Sequence, residues 1–360
     1  MTLLDAPEPE SAPAALPPDE STPALIAYHL ARNGKGEPLG PIAPGEPPEE
    51  GGGFIWIHMF RDSPAGQGWL HGAKLVPVVF NALTADETRP RCTVHDGGVI
   101  LNLRGVNLNP GAEPEDMVSI RLWVQGTRVV SVVRNPLAAV LDIRDEIARG
   151  QGPTTPGDLV ARLALRLADR TEPIVAHLNE RIDTLEEEML FGGTENVSRH
   201  ELGDIRAMSI QMRRYMFPQR DALSTFEIED LTWLTKADRV RLREATERVT
   251  RLGEELDAIR ERAQVVQDQL MDARSEQMNH QMLVLSVVAA IFLPLGFITG
   301  LLGINVGGMP GVESPAAFWI VCLLLVLICA GQLILFRQMG LLGRRKRRRG
   351  AGPVQIDDPS

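Results

Sequence analysis

Two stretches near the C-terminus decide what this chain can fold into. Met282–Ile304 runs for 23 residues and Ala316–Phe336 for 21, and neither holds a charged side chain. As a helix the first is roughly 34 Å long against a hydrocarbon core of about 30 Å, so it spans a bilayer. The second carries one strongly polar side chain, Gln332, too little to give the wet face of an amphipathic helix in a water-soluble domain. The 11 residues between them, 305–315, begin with Asn305, directly after Gly303-Ile304. The pattern is a membrane hairpin with a polar tip.

Orientation follows from the basic residues, because short loops rich in Lys and Arg stay in the cytoplasm. Arg337 and the block Arg344–Arg349 follow the second span, whereas the connecting loop has no Lys or Arg and a single acid, Glu313. Both termini are therefore expected inside, and the basic block reads as a lipid-headgroup anchor rather than a nucleic-acid site. Setting aside those 7 basic residues and Glu313, Asp357 and Asp358 leaves 30 basic against 44 acidic side chains, a charge of about −14 on the remainder. Such a body gathers cations and disfavours nucleic acid. The three cysteines, Cys92, Cys322 and Cys329, form neither a disulfide framework nor a CxxC cluster. No charged and apolar leader opens the chain, and residues 1–24, rich in Pro, Ala and Glu, read as a disordered tail.

Between Gly53 and Val133 the runs Phe54–Met59, Arg91–Val94, Gly98–Leu103, Met117–Val124 and Thr127–Val133 are β-branched or aromatic and broken by Gly, Asp, Asn and Pro. They predict strands of a mixed α/β domain over 25–150. A helical region over 151–280 follows. Thr155–Leu190 places Leu167, Ile174, Leu178, Ile182, Leu185 and Met189 at three- and four-residue steps, and a second helix from about Ser198 meets Pro218, which is expected to kink or end it. From Leu242 to Leu270 the apolar positions Leu242, Ala245, Val249, Leu252, Leu256, Ile259, Ala263, Val266 and Leu270 alternate by three and four, a coiled-coil seam. Between Asp238 and His280 only Gly253 weakens the helix, so this stalk is expected to run unbroken into the first span, 281–304. The loop 305–315, second span 316–336 and basic tail 337–360 complete the organisation.

One face of the membrane end of that helix reads Asn279, Met282, Ser286, Ala289, Leu293, Gly296, Gly300, Gly303. Small residues in such a stripe serve close helix packing or the wall of a pore. Its continuity with the stalk and its end at Asn305 argue for the pore. Two spans cannot enclose a channel alone, so several copies would form a ring in which Asn305 oxygens hold part of a hydrated cation's shell. Met282, Leu285 and Leu293 would supply hydrophobic constrictions.

Gly303-Ile304-Asn305 after a Pro294-containing span, followed by Gly307-Gly308-Met309-Pro310-Gly311, resembles the CorA superfamily of divalent-cation transporters, and in particular its zinc-transporting ZntB branch. Met278-Asn279-His280, Phe292-Leu293-Pro294-Leu295, Met212-Arg213-Arg214 and Pro218-Gln219-Arg220 extend the likeness over roughly Gly53 to Phe336. The resemblance implies a funnel-shaped homopentamer of the cytoplasmic (inner) membrane with a cytoplasmic α/β domain, a long stalk that becomes the pore-lining span, and an outer ring of second spans. It assigns pore positions to Asn279, Met282, Leu285, Leu293, Gly296, Gly303 and Asn305. Two departures favour zinc over magnesium: Gly296 stands where the family has threonine, and Gly311 follows Met309-Pro310 where the magnesium branch has an acid, Glu313 coming two residues later.

Zinc takes nitrogen and sulfur donors. His280 beside Asn279 is the best placed, its bland reading being an interfacial side chain; His58, His95, His177 and His200 lack HxxxH or HExxH partners and read as structural. Asp257, Asp268 and Asp272 are candidates for hydrated cations along the stalk, or else a solvated face. The transported ion, zinc or alternatively magnesium, cobalt or nickel, is cargo, and no cofactor is implied. Zinc-branch relatives are associated with proton coupling, yet neither span holds Asp, Glu or His to relay a proton. The rival class is a membrane-tethered enzyme or sensor. No phosphate loop, nucleophile elbow or paired zinc ligands supply its chemistry.

Overall fold

The computed structural model describes residues 23–40, 52–86, 89–192, 197–304, 311 and 314–339. It divides into two compact units, Met1–Asp268 and Gln269–Ser360. The tail expected over 1–24 and the basic block Arg344–Arg349 lie outside the described residues, except for Pro23 and Ala24.

Among the described residues the first unit contains a seven-stranded sheet. Its strands are β1 Leu25–Ala31, β2 Gly36–Pro38, β3 Gly53–Phe60, β4 Arg91–His95, β5 Gly98–Gly105, β6 Val118–Val124 and β7 Arg128–Val133. They lie in the order β2-β1-β3-β7-β6-β5-β4; β3 and β7 run parallel and the other neighbours antiparallel. The five strands expected from the sequence are present to within one or two residues. Two strands are added: β1, an apolar run, LIAYHLA, that lies ahead of the stretch from Gly53 onward in which strands are expected, and β2, whose Gly and Pro mask any strand pattern and which owes its existence to the edge of β1 rather than to propensity.

One sheet face carries Ile57, Met59, Ile100, Trp123, Val130 and Val132. Trp69, Leu70, Val79 and Leu83 cover it from two short helices, α1 Pro64–Gly72 and α2 Pro77–Thr84. Each begins on a proline, which presets φ and has no N–H to orphan, and the Ser63 hydroxyl caps α1 by accepting from Gly66 N at 3.0 Å. On the opposite face Trp56 and His58 converge on Ser131: Trp56 Nε1 donates to Oγ at 2.8 Å and His58 Nδ1 lies 2.9 Å from it. Burial, with the nearby Arg144 charge, lowers the His58 pKa to about 3, so the ring is neutral and Ser131 can satisfy both neighbours. Ser131→Ala orphans two buried polar groups and is expected to destabilise the protein by about 2 kcal/mol, a fall of several degrees in thermal midpoint in detergent.

Four further helices follow: α3 Ala138–Ala148, α4 Pro156–Glu187 with a closing π turn Glu188–Gly192, α5 Arg199–Ile228 and α6 Lys236–Leu302. The α6 seam is buried, every member from Leu242 to Leu270 being at most 3% exposed. Up to Val266 it closes on the chain's own α4 and α5, so it is not the surface through which copies associate. Gly253 faces Met216 and Phe217, while Arg262 is forked onto Asp183 and Glu186 and Arg248 pairs with Asp169. Pro218 neither ends nor breaks α5. It costs one backbone bond, offset by the burial of Met216, Gln219, Ala222 and Leu223 on either side.

The N-termini of α4 and α6 share their caps. Thr155 Oγ1 accepts from Asp158 N at 3.0 Å and donates to Asp238 Oδ1 at 2.6 Å, and Asp238 Oδ2 accepts from Thr235 N at 3.0 Å. Two buried carboxylates thus sit at two positive helix ends. Gly157 permits the approach, since a Cβ there would come within 2.8 Å of Asp238 and 2.7 Å of Leu234.

The second unit holds the end of α6 and α7 Ala317–Gln338. Their most apolar windows reach mean hydropathies of 2.5 and 2.8, long and apolar enough to cross a membrane, and none of either window is buried within the single chain.

Candidate ion-conduction site

The apolar end of α6 begins where the charged stalk pattern stops, after Glu276, and continues through Pro294 without interruption to Leu302. The helix closes with Gly303 N donating to Thr299 O at 3.0 Å. Thr299 Oγ1 turns back to Leu295 O and Gly296 O at 3.0 and 3.1 Å, so its hydroxyl is satisfied by its own helix. Gln332 Nε2 on α7 donates to Ala290 O at 3.2 Å. Among the described residues Gln332 Oε1 is buried without a partner.

Asn279, Met282, Leu285, Ser286, Ala289, Leu293, Gly296, Gly300, Gly303 and Ile304 are all exposed in the single chain. Met282, Leu285 and Leu293 are 62%, 71% and 76% accessible. A Cβ placed on Gly296 or Gly300 would meet nothing within 4 Å among the described residues. The small residues of the stripe therefore do not serve packing of α6 on α7 within one chain. Asn305 and Glu313 lie outside the described residues, as do Gly307 to Pro310.

The remaining metal candidates separate by environment. Asp257 is paired with Arg213, and Arg260 lies 3.8 Å away; Asp268 accepts from Gln264 at 2.8 Å; Asp272 and His280 are exposed. Among the described residues no three His, Cys, Asp or Glu side chains gather into a ligand set. Sequence reasoning singled out Gln332 as polar but not its partner, because a cross-helix hydrogen bond leaves no periodic trace. Gln332→Leu is expected to cost about 0.6–2 kcal/mol in detergent melts, the usual range for such bonds between membrane helices.

A mixed sheet, a helix that runs on into an apolar segment and a second apolar C-terminal helix define a two-span membrane protein with an α/β domain. The chain belongs to the CorA-like Mg2+ transporter family, whose model matches residues 51–338. Members of this family are transporters, not enzymes. The chain is 39% identical over 294 residues to the divalent cation transporter CmaX of Pseudomonas aeruginosa, covering 81% of this chain and 88% of that protein. The solved structure of full-length CmaX matches with a TM-score of 0.75 over 89% of this chain and 99% of that one, at 36% identity. The zinc transport protein ZntB of Pectobacterium carotovorum is 36% identical over 311 residues, 86% of this chain and 93% of that one. The CorA magnesium transporter of Methanocaldococcus jannaschii shares the fold, with a TM-score of 0.73 at 18% identity over 89% of this chain and 99% of that one.

Proposed function

We propose that this protein carries divalent cations, zinc foremost, through a homopentameric pore in the cytoplasmic (inner) membrane, with both termini on the cytoplasmic side. The observation that carries the reading is the exposure of the α6 stripe. The whole span is unburied in one copy. On this face Met282, Leu285 and Leu293 are exposed and, among the described residues, Gly296 and Gly300 touch no other helix, and small residues with free space around them suit neighbouring copies of the chain better than lipid. In a ring, the small residues would line a path wide enough for a partly hydrated ion and the apolar ones would narrow it. Gly303, Ile304 and Asn305 would form its outer mouth, and Asn279 with His280 its inner one.

Zinc is favoured by the likeness to ZntB and by Gly296 and Gly311, which remove polar and acidic groups from the path. Likeness to CmaX supports the broader class, and magnesium is the second reading. Asp257, Asp268 and Asp272 would hold at most hydrated ions along the stalk, and Glu313 would sit near the mouth. Uptake of radioactive zinc into proteoliposomes, run against magnesium and with and without an imposed pH gradient, tests the proposal. Zinc uptake is the expected result, and acceleration by the gradient would assign proton coupling. Magnesium uptake without zinc would overturn the ion; no flux of either would overturn the pore and return the tethered sensor.

A further inference from the structure

A second feature lies in the first unit, far in sequence from the spans. Near the C-terminal end of α2, beside β5, β6 and α5, a cavity of 530 Å³ is lined, among the described residues, by five arginines and two carboxylates. The arginines are Arg89, Arg104, Arg121, Arg134 and Arg214, and the acids Asp86 and Asp116. The volume falls within the range of small-molecule sites, about 300–1,000 Å³, but the wall is charged rather than apolar.

Arg121 is the group that asks for a ligand. It is 1% exposed, donates from Nη2 to Asp86 O at 3.1 Å, and among the described residues has no acceptor for Nε or Nη1. The charges of Asp86 and Asp62 act on it from a distance, but neither carboxylate meets its free donors, both being held by Arg61. Burial, then repulsion from Arg61 and Arg104, pulls the Arg121 pKa down to about 10. Directly across the β5–β6 ladder stands Asn102, also 1% exposed, with both ends of its amide unpartnered among the described residues. A buried guanidinium with donors left unmet is costly.

We propose that this cavity binds a phosphate-bearing anion. The guanidinium groups offer forked donors suited to phosphate oxygens, and an anion in the cavity would supply the acceptors that Arg121 Nε and Nη1 lack among the described residues. Arg104 is oriented by donating to Met117 O at 2.8 Å and by lying 4.4 Å from the centre of the Tyr215 ring, so part of the wall is already arranged. The neighbours of Arg214 and Tyr215 on α5, Met216 and Phe217, pack against Gly253 of α6. The occupant thus touches an element that bears directly on the stalk.

Calorimetric titration of the full-length protein in detergent tests this, with inorganic phosphate, pyrophosphate and ATP as probes and adenosine as control. Saturable binding of at least one phosphate-bearing probe is expected, with none for adenosine. Phosphate and pyrophosphate binding as tightly as ATP would identify the free anion as the occupant, and ATP alone a nucleotide. R121M is expected to weaken binding at least tenfold, about the value of one charged hydrogen bond, without lowering the thermal midpoint. Should R121M fail to fold, R134Q, whose side chain is 60% exposed, is expected to fold normally and to weaken binding as well. Absence of binding to every probe, as when side chains of a neighbouring copy fill the cavity, or equal affinity in wild type and R134Q, overturns the proposal.

Discussion

Asp158→Ala is expected to lower the stability of the protein by about 2–4 kcal/mol. The carboxylate is fully buried and its load is unusual. Oδ2 accepts from Thr154 N at 3.0 Å and Oδ1 from Arg162 Nε at 3.0 Å, and Arg241 on α6 reaches the same Oδ1. Breaking a wholly buried pair costs about 3–5 kcal/mol. Here the arginines are 25% and 43% exposed and can turn toward water once the anion is gone, so the expected loss is somewhat smaller. Alanine also removes the reciprocal cap of α4 and the charge favoured at its N-terminus. Burial pushes the Asp158 carboxyl up, but the hydrogen bonds from Arg162 and Thr154 and the charges of Arg162 and Arg241 outweigh it, and its pKa is below the ordinary aspartate value. The stability it contributes is therefore fully present above the unfolded pKa of about 4 and is lost as pH falls through the lower folded value. Denaturant melts of wild type and D158A, compared at pH 7 and pH 3, should show a gap that narrows on the acid side. A gap that is absent at pH 7 would mean that Asp158 holds neither helix end.

That junction also shows where sequence reasoning reaches and where it stops. The α6 seam was legible because Leu242 to Leu270 repeats at the period of a helix packed on neighbours, and the two apolar segments because hydrocarbon thickness sets their length. Five strands were legible from β-branched runs between turn residues. What closes the seam was not, since periodicity marks a contact without naming its partner, and the partners are α4 and α5 of the same chain. The short helices α1 and α2 hid behind prolines and glycines that equally signal loops. Pro218 does not end α5, because its local cost is real but smaller than the packing on both sides of it. Asp158, Arg121 and Asn102 look like ordinary polar residues along the chain; only the three-dimensional neighbourhood reveals that each is buried. At the candidate pore, the stripe from Asn279 to Gly303 could be read as a helix face. Its exposure and the empty space around Gly296 and Gly300 needed coordinates.

Asn305→Ala is expected to reduce zinc uptake into proteoliposomes by about 10-fold to 100-fold while leaving the assembly intact. The reasoning begins at the end of α6. Its last carbonyls carry the negative end of the helix dipole, about half an elementary charge per helix, and Gly303 ends the helix at Thr299 O. In the proposed ring those ends would attract a cation, and the next oxygen available in sequence is the Asn305 amide. An interaction between a neutral acceptor and a charged group contributes about 1.5–3 kcal/mol, and each 1.4 kcal/mol is about tenfold, which sets the size of the loss if one such contact governs entry. Stability should not follow flux, because position 305 falls in the connecting loop expected from the sequence, outside the stretch that forms the core of the first unit, Met1–Asp268. Asn305→Asp makes the sharper comparison. It keeps an oxygen at the same distance from the backbone and adds charge, so flux should survive, with a changed ratio of zinc to magnesium as the harder, charged donor gains on the neutral one. Size-exclusion chromatography of each variant separates loss of conduction from loss of assembly. Wild-type flux in N305A with the oligomer intact would remove Asn305 from the ion path and move the search for the selective step inward, to Met282, Leu293 and Asn279.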